Sequence, residues 1–108
     1  MTRFGLREST IEKIKGVLAA FPEVEKAVLY GSRAKGNYKP GSDIDLTLFG
    51  EGLDQRRCDQ IAEALDDLLL PYMIDLSVYA LLHHPELEAH IELVGQVFYE
   101  REKGSFQP

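Results

Sequence analysis

The hydrophobic positions of this chain change period several times. Across residues 9–21, Ile11, Ile14, Val17, Leu18 and Phe21 recur at three- and four-residue spacing, which gathers them on one stripe of a helix. Ser9 and Glu12 have the spacing of a capping box, so Ser9 is the expected cap, and Pro22 ends the segment. The pattern then shortens: residues 26–30, KAVLY, and 43–49, DIDLTLF, read as strands. After the turn at Gly50 and Gly52, Asp54 opens a second helix that runs to about Leu69, with Cys58, Ile61, Ala62, Leu65 and Leu68 inward. A third strand is expected over 72–79, behind Pro71. Pro85 suits the first turn of a further helix, Leu87, Ile91 and Val94 make its inner face, and Gly95 stops it. Val97, Phe98 and Tyr99 form a short final strand. Alternation on this scale implies an α/β fold, a small mixed β-sheet with helices mainly on one face. The reading is of one domain over residues 1–108, with its core at about 9–99 and a polar tail at 100–108 that frays.

Composition narrows the classes. A chain of 108 residues, 44% hydrophobic and 28% charged, is globular and holds one core. Its net charge of −6 disfavours binding nucleic acid on its own, because phosphate neutralisation supplies most non-specific affinity. A lone cysteine, Cys58, excludes an internal disulfide, and its place on an apolar stripe makes it an inert core thiol. No apolar run is long enough for a membrane span, and MTRFGLREST lacks the apolar stretch of a signal peptide, so the cytoplasm is expected. His83, His84 and His90 have no ligand spacing with Cys58 and read as capping and surface histidines. Asp59, Glu63, Asp66 and Asp67 read as a solvated helix face.

The chemistry concentrates in residues 31–46, GSRAKGNYKPGSDIDL. A strand that ends in Gly31-Ser32 and turns into Arg33-Ala34-Lys35 offers free backbone N–H groups at a helix start, which is an anion site by geometry. Arg33, Lys35 and Lys39 gather positive charge there in an otherwise acidic chain. Asp43 and Asp45 stand where the sequence is most strand-like, although Asp is depleted in strands. Alternate strand residues share a face about 7 Å apart, so two carboxylates there repel and resist burial unless cations lie between them. Mg2+ is a hard cation that takes such oxygens and shares them with a substrate phosphate. Two other nucleotide motifs fail. Asn37-Tyr38 stands where a Walker A loop needs Lys-Ser/Thr, and no G-x-G-x-x-G is present. Asp75 is a third acid in the middle of an apolar strand.

Gly-Ser, ten residues, then Asp-x-Asp resembles the signature of the DNA polymerase β-type nucleotidyltransferase superfamily. GSRAKG followed by GSDIDL is similar to the minimal nucleotidyltransferase (MNT) domains, the small partners of HEPN proteins. The resemblance implies a third carboxylate on the strand beside Asp-x-Asp, a role that falls on Asp75. It implies two Mg2+ ions held by Asp43, Asp45 and Asp75, and a nucleotide held by Gly31, Ser32, Arg33 and Ser42. The implied reaction moves AMP from ATP to an acceptor hydroxyl, a tyrosine of a HEPN toxin, so that the domain is the antitoxin of a toxin–antitoxin pair. A non-catalytic antitoxin that occludes its partner, or transfer to a small molecule, are the alternatives. Larger relatives carry extra acceptor domains; without them polymerase activity is not expected. Homo- and hetero-oligomers are both open.

Overall fold

The computed structural model describes residues 2–102. Two short strands, β1 (Thr2–Arg3) and β2 (Leu6–Arg7), pair antiparallel as a hairpin that the periodicity did not predict. Phe4 and Gly5 make its tight turn with φ of 58° and 74°, the sign that such turns require. Fully buried Leu6 pins the hairpin to the core, and the chain passes straight into α1 (Glu8–Ala19). That pinning displaces the expected capping box. The cap is the extended Arg7, without a side-chain cap bond, and Ser9 lies inside the first turn. Glu8 contributes instead through its charge at the positive end of the helix.

The main sheet has the order β5-β4-β3-β6. Its strands are β3 (Lys26–Tyr30), β4 (Ile44–Phe49), β5 (Ile74–Val78) and β6 (Gln96–Glu100). β3 runs antiparallel to both β4 and β6, whereas β4 and β5 are parallel. Parallel neighbours need a crossover, and α3 (Gln55–Asp66) supplies it. The Asp54 side chain caps α3 as expected, accepting the Arg57 N–H at 2.8 Å. The four-residue α2 (Ser32–Lys35) follows β3, and α4 (Pro85–Val94) precedes β6. His84 caps α4, its Nδ1 accepting the Leu87 N–H at 3.1 Å.

Side-chain alternation gives the sheet two faces. Ala27 and Leu29 of β3 and Ile44, Leu46 and Leu48 of β4 pack with Ile11, Ile14 and Leu18 of α1 and with Cys58, Ile61 and Leu65 of α3. That is the main core. On the other face Val28 and Tyr30 meet Ile91 of α4 in a smaller cluster. Helices therefore lie mainly on one face, while α4 and the short 3-10 turn Tyr79–Leu81 pack on the second. Burial pushes the Cys58 thiol up, which keeps it protonated and inert.

The chain end is better anchored than its polarity suggests. Glu100 belongs to β6, and the Arg101 guanidinium donates to the carbonyls of Ala19, Phe21 and Val24. The fraying expected from residue 100 onward therefore does not apply to Glu100 and Arg101, while 103–108 lie outside the described residues. Among the described residues no helix is long and apolar enough to cross a membrane.

Candidate active site

The site begins where β3 ends. Gly31 caps α2 with φ +79° and ψ −157°, a conformation L side chains rarely adopt. A Cβ at this position would also meet the end of the Asp45 side chain, which would have to shift. The Gly31 carbonyl accepts the Lys35 N–H at 3.1 Å, the first bond of α2. The amides of Ser32, Arg33 and Ala34 precede that bond and have no helical acceptor. Ser32 is the first helical residue rather than the cap, which is Gly31, so its side chain belongs to the same first turn as those amides. Anions suit such a group of donors.

Strand pairing brings the acids to the same place. Tyr30, the residue before the turn, pairs with Asp45 across β3 and β4. The parallel pairing of β4 with β5 sets Asp45 directly in register with Asp75. Asp43 stands just ahead of β4, exposed, two residues from Asp45 and so of the same parity. Asp45 is half-buried, and burial first, then the negative charges of Asp75 and Asp43, push its carboxyl above the usual range. Behind the acids, Ser77 Oγ donates to the fully buried Thr47 Oγ1 at 2.9 Å. Burial likewise raises the Tyr30 hydroxyl, against a lowering contact with Ser77.

Among the described residues no three His, Cys, Asp or Glu side chains close into a metal cage. The acids form an open edge instead: two exposed carboxylates flank one that is half-buried and raised by burial and then by their charge. Such an edge fits Mg2+, which keeps water and phosphate oxygens in most of its shell and takes only one or two carboxylates. It does not fit a metal that needs a full set of protein ligands.

Arg33 departs from expectation. Its side chain is 3% exposed and turned into the protein. Nε and Nη2 donate to the Ser42 carbonyl at 3.1 and 2.9 Å, and Nη1 donates to the Phe4 carbonyl at 2.8 Å. The guanidinium also stacks between the rings of Tyr38 and Tyr72. Its three donor atoms are committed to backbone, so Arg33 ties loop 36–43 and the N-terminal hairpin together and does not reach a phosphate. Ser42 works partly in the same brace. Its Oγ accepts the Lys39 N–H at 2.9 Å, which leaves the hydroxyl proton free to donate outward. Lys35, at the end of α2, and Lys39 in the following loop are exposed positive charges.

His90 is the residue the sequence understated. Its Nε2 accepts the Gly31 N–H at 3.2 Å, and its ring meets the Tyr30 ring edge-on, 6.1 Å between centroids at 81°. It is thus no surface histidine. Its place three residues after Leu87, at the margin of the inner stripe of α4, was the one local trace.

Comparison with known proteins gives consistent results. The family described as "Polymerase beta, Nucleotidyltransferase" matches residues 12–104. The "Probable protein adenylyltransferase MntA" of Haemophilus influenzae is 36% identical over 80 residues, 73% of this chain and 69% of that protein. A toxin–antitoxin crystal structure with AMP-PNP superposes with a TM-score of 0.69 at 22% identity, covering 85% of this chain and 74% of the other. The complex of a tri-AMPylated Shewanella oneidensis HEPN toxin with its MNT antitoxin gives 0.66 at 20% identity, covering 87% and 72%. At those identities the two structures speak for the fold.

Proposed function

This chain belongs to the polymerase beta nucleotidyltransferase family, and from that premise we propose that it transfers AMP from ATP to a tyrosine hydroxyl of a HEPN-domain partner, as the antitoxin of a toxin–antitoxin pair. The observation that carries the reading is the register of Asp45 with Asp75 on adjacent strands, beside the start of α2, where the Ser32, Arg33 and Ala34 amides have no helical acceptor. The relative from Haemophilus influenzae, named as a probable protein adenylyltransferase, and the complex with an AMPylated HEPN toxin support the choice of nucleotide and acceptor.

Each part has a task. The amides of Ser32, Arg33 and Ala34 and the Ser32 hydroxyl hold the outer phosphates of the triphosphate. The free Ser42 hydroxyl proton donates to the same group, and Lys35 and Lys39 draw it in. Asp43, Asp45 and Asp75 would hold Mg2+, two ions in the full form of the reading; the metal supplies neutralisation of the triphosphate and a lowered pKa for the acceptor hydroxyl. The acceptor oxygen bonds to the α-phosphorus, the bond from that phosphorus to the bridging oxygen breaks, and pyrophosphate leaves with the electron pair. The hydroxyl proton passes to a carboxylate of the cluster and then to water. Much of the rate then comes from position and charge, as rigid donors around a phosphoryl group provide. The net charge of −6 favours a protein acceptor over a nucleic acid.

The test is co-expression with a candidate HEPN-domain partner, followed by intact-mass spectrometry. Additions of one AMP each are expected, absent when Asp43→Asn replaces the wild type. A partner bound and silenced but unmodified would mean occlusion without transfer, and an extended oligonucleotide would mean the wrong acceptor class.

A further inference from the structure

Gly31 is the most pliable residue of the turn, yet it is gripped at both ends. On its C-terminal side the carbonyl accepts the Lys35 N–H at 3.1 Å. On its N-terminal side the amide donates to His90 Nε2 at 3.2 Å, across 59 positions of sequence. We propose that His90 is a positioning residue for the phosphate-binding turn, acting through the Gly31 amide.

The peptide plane explains how. The Gly31–Ser32 peptide is flat and trans, so the Ser32 N–H points opposite to the Gly31 carbonyl. With that carbonyl fixed by Lys35, the remaining freedom of the turn is rotation about the Gly31 N–Cα bond. Glycine spans a wide range there. The bond to His90 removes that freedom by holding the amide, and so fixes how α2 and its Ser32, Arg33 and Ala34 amides are turned relative to β3 and the acids beside it. An acceptor on Nε2 also assigns the ring proton to Nδ1. The edge-on Tyr30 ring meets the imidazole, and the next residue, Ile91, 3% exposed, anchors that turn of α4 against Val28 and Tyr30. The Gly31 amide is therefore occupied and is not a phosphate donor. The donors are the amides that follow it.

The inference rests on the proposed nucleotide site, and the experiment separates the two. His90→Phe keeps the aromatic edge against Tyr30 and removes the acceptor. His90→Gln places an oxygen near the reach of Nε2. His90→Asn is polar but too short to reach. Amide hydrogen exchange at Gly31 reads the bond itself, without any ligand. Calorimetric titration with Mg-ATP reads its consequence, without any acceptor protein. Wild type and His90→Gln should both protect the Gly31 amide and bind Mg-ATP within about twofold of each other. In His90→Phe and His90→Asn, exchange at Gly31 should be about tenfold faster and affinity about 3- to 10-fold weaker, the scale of one hydrogen bond. If His90→Phe does not fold, the contrast between Gln and Asn carries the same information. Equal affinity across all variants, or a Gly31 amide that exchanges equally in all of them, overturns the inference and leaves the nucleotide site standing. A wild type that protects Gly31 yet binds no Mg-ATP overturns the nucleotide reading, and the positioning role with it.

Discussion

Replacing Arg33 with Met removes a guanidinium from a place that excludes water while keeping a chain of similar length. Two carbonyls lose their donors: that of Ser42, which receives two N–H groups, and that of Phe4, which receives one. A buried acceptor left unpaired costs about 1–3 kcal/mol. Loss of the stack between Tyr38 and Tyr72, with centroid distances of 5.2 and 4.9 Å, adds roughly 0.5–1 kcal/mol per ring. The methionine side chain and the relief of a buried charge offset part of this, leaving a net loss of about 2–4 kcal/mol. For a domain of this size 1 kcal/mol shifts Tm by about 4 °C, so Tm should fall by roughly 8–15 °C. With a typical stability of about 5–15 kcal/mol the variant remains folded at 25 °C. Circular dichroism melting gives the shift, and calorimetry with Mg-ATP on the folded variant gives the affinity. Arg33→Lys should fail almost as badly, because a single ammonium cannot span both carbonyls as the planar fork does. An Arg33→Met variant that melts within about 2 °C of wild type while Mg-ATP binding collapses would refute the structural role of Arg33. That outcome would make Arg33 a phosphate ligand after all.

Further expectations concern the carboxylate edge and the turn. Asp43→Asn removes an exposed charge, so Tm should hold or rise while transfer falls at least about a hundredfold, as loss of metal-borne stabilisation implies; undiminished labelling from radiolabelled ATP would remove Asp43 from the site. The folded-state pKa of Asp45 lies above its usual 3.8, chiefly through burial and then through Asp75 and Asp43, so the folded protein holds this proton more tightly than the unfolded chain does. The associated stability is present below the usual value and lost as pH rises through the raised one. Metal-free wild type should therefore lose ground to Asp45→Asn as pH climbs from about 4, the two converging in acid; a gap in Tm that is the same from acid to neutral pH would contradict this. Gly31→Ala should cost roughly 1–2 kcal/mol for its backbone alone, plus displacement of Asp45, and Asp45→Ala in the same chain should recover part of that loss without restoring transfer. A Gly31→Ala protein with wild-type melting and wild-type Mg-ATP affinity would count against the close approach.

The sequence by itself determined the local elements and most of the site's chemistry. Helical spacing from Ile11 to Leu18 and from Cys58 to Leu65 located two helices and the faces they bury, because side-chain period is a property of the local backbone. Asp54 announced the start of α3 by the same local logic. Gly31, Ser32, Asp43 and Asp45 were legible as a turn and a strand with unusual acids, since glycine and paired carboxylates are out of place where they have no task. What depended on remote partners was not legible. The hairpin at Thr2–Arg7 holds by pairing and by Leu6 in the core, not by any periodicity of its own. Ser9 lost its cap to that hairpin. Asp75 could be assigned a strand but not a register; only the parallel pairing of β5 with β4 sets it beside Asp45, and a slip by one residue would have turned it to the opposite face. Arg33 looked like a phosphate ligand because charge near Gly-Ser is visible in sequence, while the Phe4 carbonyl that claims it lies 29 positions away. His90 looked idle because its partner lies 59 positions away. A side chain's type and period are local, but the group it meets is chosen by the packing of segments that sequence does not bring together.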